Sequence, residues 1–191
     1  MTPINDNAQP SFSVMTVNVR FGLADSGKNS WDNRKPAFAA LFKNYRPDFV
    51  AMQEVNHCQA DFFQRILSEY NCIGQRDPAP KFWQDVLIFY NKEWDCLDSY
   101  RFFLTDTPDI PSRLPDSQWP RQCVMGRFSR NQREVVCVST HFDFTDQVQQ
   151  KSAKIVLEKL SRFSDSPGPQ ILTGDFNSAP GTSCYNMFTE P

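Results

Sequence analysis

What the sequence lacks narrows it first. Its six cysteines, at 58, 72, 96, 123, 137 and 184, include no CxxC pair, so zinc and thioredoxin readings fail on spacing. They read instead as reduced, mostly buried thiols. Uninterrupted apolar runs such as Val86–Tyr90 are short, far from the length of a membrane span. Met1–Pro10 is polar and shows no apolar core, so no secretory signal is visible and a cytoplasmic location is expected. There is no surplus of positive charge. Twenty Lys and Arg stand against twenty-two Asp and Glu, a net of −2, which argues against a protein that coats a long polyanion. No internal period recurs. Glycine is scarce, with seven residues, while proline is abundant, with fourteen. Pro108, Pro111, Pro115 and Pro120 share one stretch, the mark of a long ordered loop.

What is present is material for one domain. The chain has 191 residues, 40% of them hydrophobic, enough for a real core. Residues 1–10 read as a flexible arm and 11–191 as a single domain. Phe12–Phe21 alternates like a strand that ends at Asn18–Arg20. Phe38, Leu41, Phe42 and Tyr45 recur at helical spacing, so a helix is expected over Asp32–Tyr45, starting near Asn33 because Pro36 suits only a first turn. Asp48–Glu54 reads as an apolar strand. A second helix is expected over Gln59–Tyr70, then strands at Cys72–Gly74, Asp85–Asn91 and Arg101–Leu104. Gln122–Phe128 and Glu134–His141 read as an antiparallel pair turned at Arg130–Arg133. Gln147–Phe163 is a third helix and Gln170–Gly174 a last strand. Helices and strands mixed in this way predict mixed sheets with helices outside.

The informative residues close the strands. Asn18 closes the first, Gln53 and Glu54 the second. His141 and Asp143 close Val135–Thr140, and Asp175 and Asn177 close the last. Carboxylates and carboxamides are hard oxygen donors suited to Mg²⁺, which takes few protein ligands and leaves room for water and phosphate oxygens. Taken singly, an Asp or Asn after a strand is usually a turn residue. Glu54 follows Phe49-Val50-Ala51-Met52 and should lie near the core, where it needs an ionic or a metallic partner.

Four segments occur in a telling order: Thr16-Val17-Asn18, Pro47 through Val55, Ser139-Thr140-His141-Phe142-Asp143, and Leu172-Thr173-Gly174-Asp175-Phe176-Asn177. In this the sequence resembles the endonuclease/exonuclease/phosphatase superfamily, over about Phe12 to Pro180. Trp31-Asp32-Asn33-Arg34-Lys35, Ile88-Phe89-Tyr90 and Trp119 with Arg121 resemble a bacterial-type subgroup. The resemblance implies an α/β fold, a four-layer sandwich of two mixed β-sheets packed face to face with helices outside and the site at one rim. It implies hydrolysis of a phosphoester by in-line water attack, as phosphodiesterase, nuclease or phosphatase, with Mg²⁺ or Mn²⁺ as cofactor. Glu54, with Asn18 beside it, resembles the metal site. Asp175 resembles the residue that orients the attacking water, His141 the donor to the scissile phosphate, and Asn177 the carboxamide on a phosphate oxygen. Arg121 and Trp119 are the expected substrate contacts, and Trp83 and Phe82 join Trp119 as lining for a small or single-stranded substrate.

Two departures set further expectations. Trp83-Gln84-Asp85 stands where the subgroup usually has a Gly-Glu pair. The Asp-His pair of the superfamily's last strand has no counterpart before Pro191, so the sandwich is expected to be C-terminally incomplete and its turnover weak. An exposed sheet edge is then expected to favour self-association. The alternative is a catalytically impaired relative that binds a phosphorylated ligand or a protein partner.

Overall fold

The computed structural model describes residues 11–78 and 82–190; the expected arm at 1–10 lies outside them. In order, the elements are β1 (Val14–Asn18), α1 (Trp31–Asn44), β2 (Phe49–Val55), α2 (His57–Ile66), β3 (Tyr70–Ile73), β4 (Asp85–Asn91), β5 (Asp95–Phe103), β6 (Gln122–Arg130), β7 (Arg133–His141), α3 (Asp146–Leu160), β8 (Gln170–Asp175) and α4 (Ser183–Thr189). Short 3₁₀ turns occupy Gly27–Asn29 and Ser161–Phe163.

Two four-stranded sheets form, in the orders β1-β2-β4-β3 and β5-β6-β7-β8. Both are mixed, and both follow one plan. β1 runs parallel to β2, and β2, β4 and β3 then alternate antiparallel. Read from its other edge, the second sheet repeats this: β8 parallel to β7, then β6 and β5 antiparallel.

Three apolar layers hold the stack. Phe49, Ile88 and Tyr90 of the first sheet, with Trp94 of the β4–β5 turn, meet Val124, Phe128, Val135 and Cys137 of the second. On the outer face of the first sheet, Val50, Met52 and Leu87 pack against Trp31 and Phe42 of α1 and Phe63 of α2. On the outer face of the second, Met125, Val136 and Val138 pack against Ala153 and Val156 of α3 and Cys184 of α4. The molecule is therefore the expected four-layer α/β sandwich, helix, sheet, sheet, helix.

Several element ends differ from the sequence reading, each for a local reason. β1 begins at Val14, later than expected, and stops within the expected end at Asn18, whose Oδ1 accepts the Arg20 N–H at 2.8 Å; Arg20 is left-handed, with φ 53°, and turns the chain away. α1 starts at Trp31 and takes Pro36 into its second turn. α2 starts early on a capping box: the Asn56 side chain accepts from Gln59 N, and the Gln59 side chain accepts from Asn56 N. Tyr70 belongs to β3. β5 is longer than expected because its first half, Asp95 to Ser99, is a polar sheet edge. α4 has no counterpart in the sequence reading; Thr182 caps it. All six cysteines are free thiols: Cys123, Cys137 and Cys184 are buried and Cys58 is exposed. No helix among the described residues is long and apolar enough to cross a membrane.

Candidate active site

Both parallel strand pairs end at the same rim. Asn18 of β1 lies beside Gln53 of β2, and His141 of β7 lies beside Asp175 of β8. One side chain joins the two sheets there. The Asn18 Nδ2 group donates to Glu54 Oε1 at 2.8 Å and to Asp175 Oδ2 at 2.8 Å. Beneath it, Gln53 Nε2 donates to Ser139 Oγ at 3.0 Å, a second link between the sheets.

Glu54 reaches this position through a β-bulge. The register of β2 on β4 slips between Met52 and Val55, and Glu54 is left-handed at φ 63°. An extra residue of this kind bends a strand and re-aims a side chain. The second carboxylate oxygen, Oε2, accepts the Phe21 N–H at 2.8 Å, which fixes the group without neutralising it.

Asp175 depends on the glycine before it. Gly174 has φ +148°, and a Cβ there would fall 2.2 Å from the Thr140 carbonyl oxygen. Only glycine lets β8 lie this close to β7. Asn177, left-handed at φ 48°, closes the turn. Its N–H donates to Asp175 Oδ1 at 3.0 Å, its Nδ2 donates to the Phe142 carbonyl at 2.9 Å, and its own carbonyl accepts from Gln149 Nε2 at 2.8 Å. An amide group has two N–H donors, so one remains uncommitted among the described residues.

His141 is 5% exposed, with Nε2 3.9 Å from Asp175 Oδ2. Burial pushes its pKa down to about 4; the Arg121 charge adds to this, and Asp175 and Glu54 oppose it. The imidazole is thus neutral near pH 7. Arg121 is buried beside it, its guanidinium 5.4 Å from the Phe144 ring and its Nε 3.7 Å from Asp143.

Asp143 corrects one expectation. It closes β7 like a cation ligand, yet its carboxylate is already committed. It accepts from Ser117 Oγ at 2.8 Å, from Gln118 N at 3.0 Å and from Phe144 N at 2.8 Å. Burial raises its pKa, but these bonds and Arg121 outweigh burial and hold it below the usual carboxylate range. Asp143 anchors the proline-rich loop that carries Trp119 and Arg121, and does not face the rim as a ligand.

Among the described residues, no group of three or more His, Cys, Asp and Glu side chains is arranged around a metal position. Two hard carboxylates do converge at the rim, which is what Mg²⁺ asks of a protein. One electropositive N–H₂ group lies 2.8 Å from an oxygen of each, so the pair already accommodates a shared centre of positive charge. Asn18 itself turns its nitrogen to the carboxylates and its oxygen to Arg20 N. In this arrangement it is a spacer between Glu54 and Asp175.

A cavity of about 470 Å³ opens beside Glu54, His141 and Arg121, walled by Phe21, Trp83 and Trp119. On the other side of the carboxylates, a shallow groove runs past Asn18, Asp175 and Asn177. Of the residues singled out in the sequence, Asn18, Glu54, Trp119, Arg121, His141, Asp175 and Asn177 line the cavity or the groove at this rim, and Asp143 does not. Gln122 and Phe21, which also line the cavity, carry no sequence signal. They enter through pairing and through the turn after β1.

The comparisons agree with this geometry. Residues 15–190 match the model of the Endonuclease/Exonuclease/phosphatase family. An uncharacterized protein of Acanthamoeba polyphaga mimivirus is 26% identical over 179 residues, covering 86% of this chain and 66% of its own. The chain thus spans just under two thirds of that relative's length. A mannosyl-6-phosphatase of Bacteroides thetaiotaomicron superposes with a TM-score of 0.84 at 28% identity, covering 93% of this chain and 70% of that one. An endonuclease/exonuclease/phosphatase protein of Bacteroides vulgatus gives 0.86 at 27%, covering 94% and 71%. The human Nocturnin catalytic domain, at 20% identity and a TM-score of 0.74 over 94% and 69%, shares the fold.

Proposed function

The chain belongs to the endonuclease/exonuclease/phosphatase family, and from that premise we propose that its rim hydrolyses a phosphate ester with the help of Mg²⁺ or Mn²⁺. The observation that carries this reading is the pair of carboxylates, Glu54 and Asp175, gathered on one Asn18 nitrogen with His141 beside them.

Glu54 would hold the cation, with Asn18 adjacent. When bound, the cation supplies positive charge against the phosphoryl oxygens. The remaining work falls to side chains. Asp175 accepts a hydrogen bond from the attacking water and so aims its oxygen at phosphorus. The new P–O bond forms opposite the leaving oxygen, the P–O bond to the alcohol breaks, the leaving oxygen takes a proton from solvent water, and the proton of the attacking water passes to the carboxylate. His141 is neutral at pH 7 and offers one N–H to a phosphate oxygen. The free amide hydrogen of Asn177 serves the same end. Arg121 keeps its charge despite burial and supplies a fixed positive group close to where negative charge gathers.

The test is hydrolysis of an aryl phosphate monoester and diester with Mg²⁺ or with chelator, by the wild type, Glu54→Gln and Asp175→Asn. Chelator should abolish turnover, and each variant should lose about 10²-fold or more while its circular dichroism stays unchanged. Turnover indifferent to chelator and to both substitutions would overturn the reading.

A further inference from the structure

The aromatic walls of the cavity at the rim play no part in breaking a P–O bond. Phe82 is 70% exposed and Trp119 60% exposed, so core burial does not explain them. Large apolar rings left open around a concavity beside reactive groups form a binding surface. The ring of Trp83 and the backbone of Trp119 are also held. The Arg76 guanidinium lies 4.9 Å over the Trp83 ring, and Arg76 is itself fixed by a buried ion pair with Asp85. The Trp119 carbonyl lies 2.7 Å from Ser117 Oγ, the hydroxyl that also bonds Asp143. A surface ordered in advance loses less entropy when it binds.

The charge along the cavity is uneven. Arg121 is the cationic residue among its described walls, and it sits with His141 at the rim end. Along the same walls the Asp85 carboxylate is matched by Arg76, and Gln84 and Gln122 add neutral polar groups. Cys123 pairs with Thr140, which sets Gln122 across from His141, next to the phosphate end. One phosphate is provided for at the rim. A second phosphate in the cavity would be desolvated with no second cation among the described walls.

Building on the hydrolytic reading above, we propose that this cavity receives the alcohol half of a small phosphate monoester, a neutral ring of sugar or nucleoside type laid against Trp119 and Trp83. It selects ring esters over acyclic ones. It also disfavours polynucleotides, whose neighbouring phosphates would meet no second cation among the cavity's described walls.

The experiment compares a hexose 6-phosphate, a nucleoside 5′-monophosphate, glycerol phosphate and a short single-stranded oligonucleotide. Two readouts are taken on the wild type, Trp119→Ala and Trp119→Phe: kcat/KM with Mg²⁺, and quenching of tryptophan fluorescence in chelator. Trp31 and Trp94 are buried, so the quenching reports mainly on the two pocket tryptophans. At least one ring ester should exceed glycerol phosphate by about tenfold or more in kcat/KM, the scale of one stacked ring. Trp119→Ala should erase that advantage, chiefly through KM, and Trp119→Phe should keep most of it. The ring ester that quenches identifies the ring as sugar or nucleoside. Equal turnover and equal quenching by glycerol phosphate, or a preference for the oligonucleotide, would overturn the proposal. Absence of turnover on every ester would count against the hydrolytic reading alone, and the quenching titration would still decide the pocket.

Discussion

His141 carries the clearest pH signature of any single residue. Its folded pKa is about 4, against an ordinary value near 6.5. Below pH 6.5 the unfolded chain takes up a proton that the folded chain refuses, so acidification favours unfolding until the folded value is reached. Stability should therefore fall from pH 6.5 to pH 4 in chelator, and His141→Gln should remove that part of the slope. Urea titrations of both proteins across this range measure it; parallel curves would show that His141 protonates freely in the fold. The residue scale also shows what was legible. Asn18, Glu54, His141 and Asp175 could be read as a site because each closes an apolar strand. Asp143 has the same local look but another fate. Its partners Ser117 and Gln118 lie 26 and 25 residues upstream, and nothing near Asp143 announces them.

The elements that place the site are short and depend on single backbone positions. β8 lies against β7 only because Gly174 has no side chain to meet the Thr140 carbonyl 2.2 Å away. Gly174→Ala should cost at least about 2 kcal/mol, since it combines a strained φ with a backbone clash. Gly27→Ala is the control: its φ is +61°, with nothing within 4 Å of the added methyl, and it should cost about 1 kcal/mol. Denaturant midpoints test the ranking, and equal costs would refute it. At this scale α1, β2, β4 and the β6–β7 hairpin were legible, because their apolar periods are long or their turn is local. β1 was legible at its Asn18 end, whereas α2 was misjudged at its start, where side chains decide through the Asn56–Gln59 box. α4 escaped because seven residues with a mixed pattern carry little periodicity.

Across the whole molecule, the rim follows from repetition. Each sheet ends one parallel pair at the same side, and the aromatic layer of Phe49, Tyr90, Trp94 and Phe128 holds the two sheets in contact. Phe128 lies 4.9 Å from the Phe49 ring and 4.8 Å from the Tyr90 ring. Mixed sheets and outer helices could be expected from the alternation of elements and from the superfamily resemblance. The placement of β3 beside β4, and the doubling of one strand plan, could not, because pairing between distant strands leaves no local mark. In the proposed function, four strand ends make one cation-holding site. Paramagnetic broadening of backbone amide resonances by sub-stoichiometric Mn²⁺ tests it most directly. Amides around Asn18, Glu54, His141 and Asp175 should broaden together in the wild type and stay sharp in Glu54→Gln. The Asn131–Gln132 turn, at the other end of β6 and β7, should stay sharp in both proteins. Broadening confined to surface carboxylates such as Asp32 or Asp165, or unchanged by Glu54→Gln, would contradict the account.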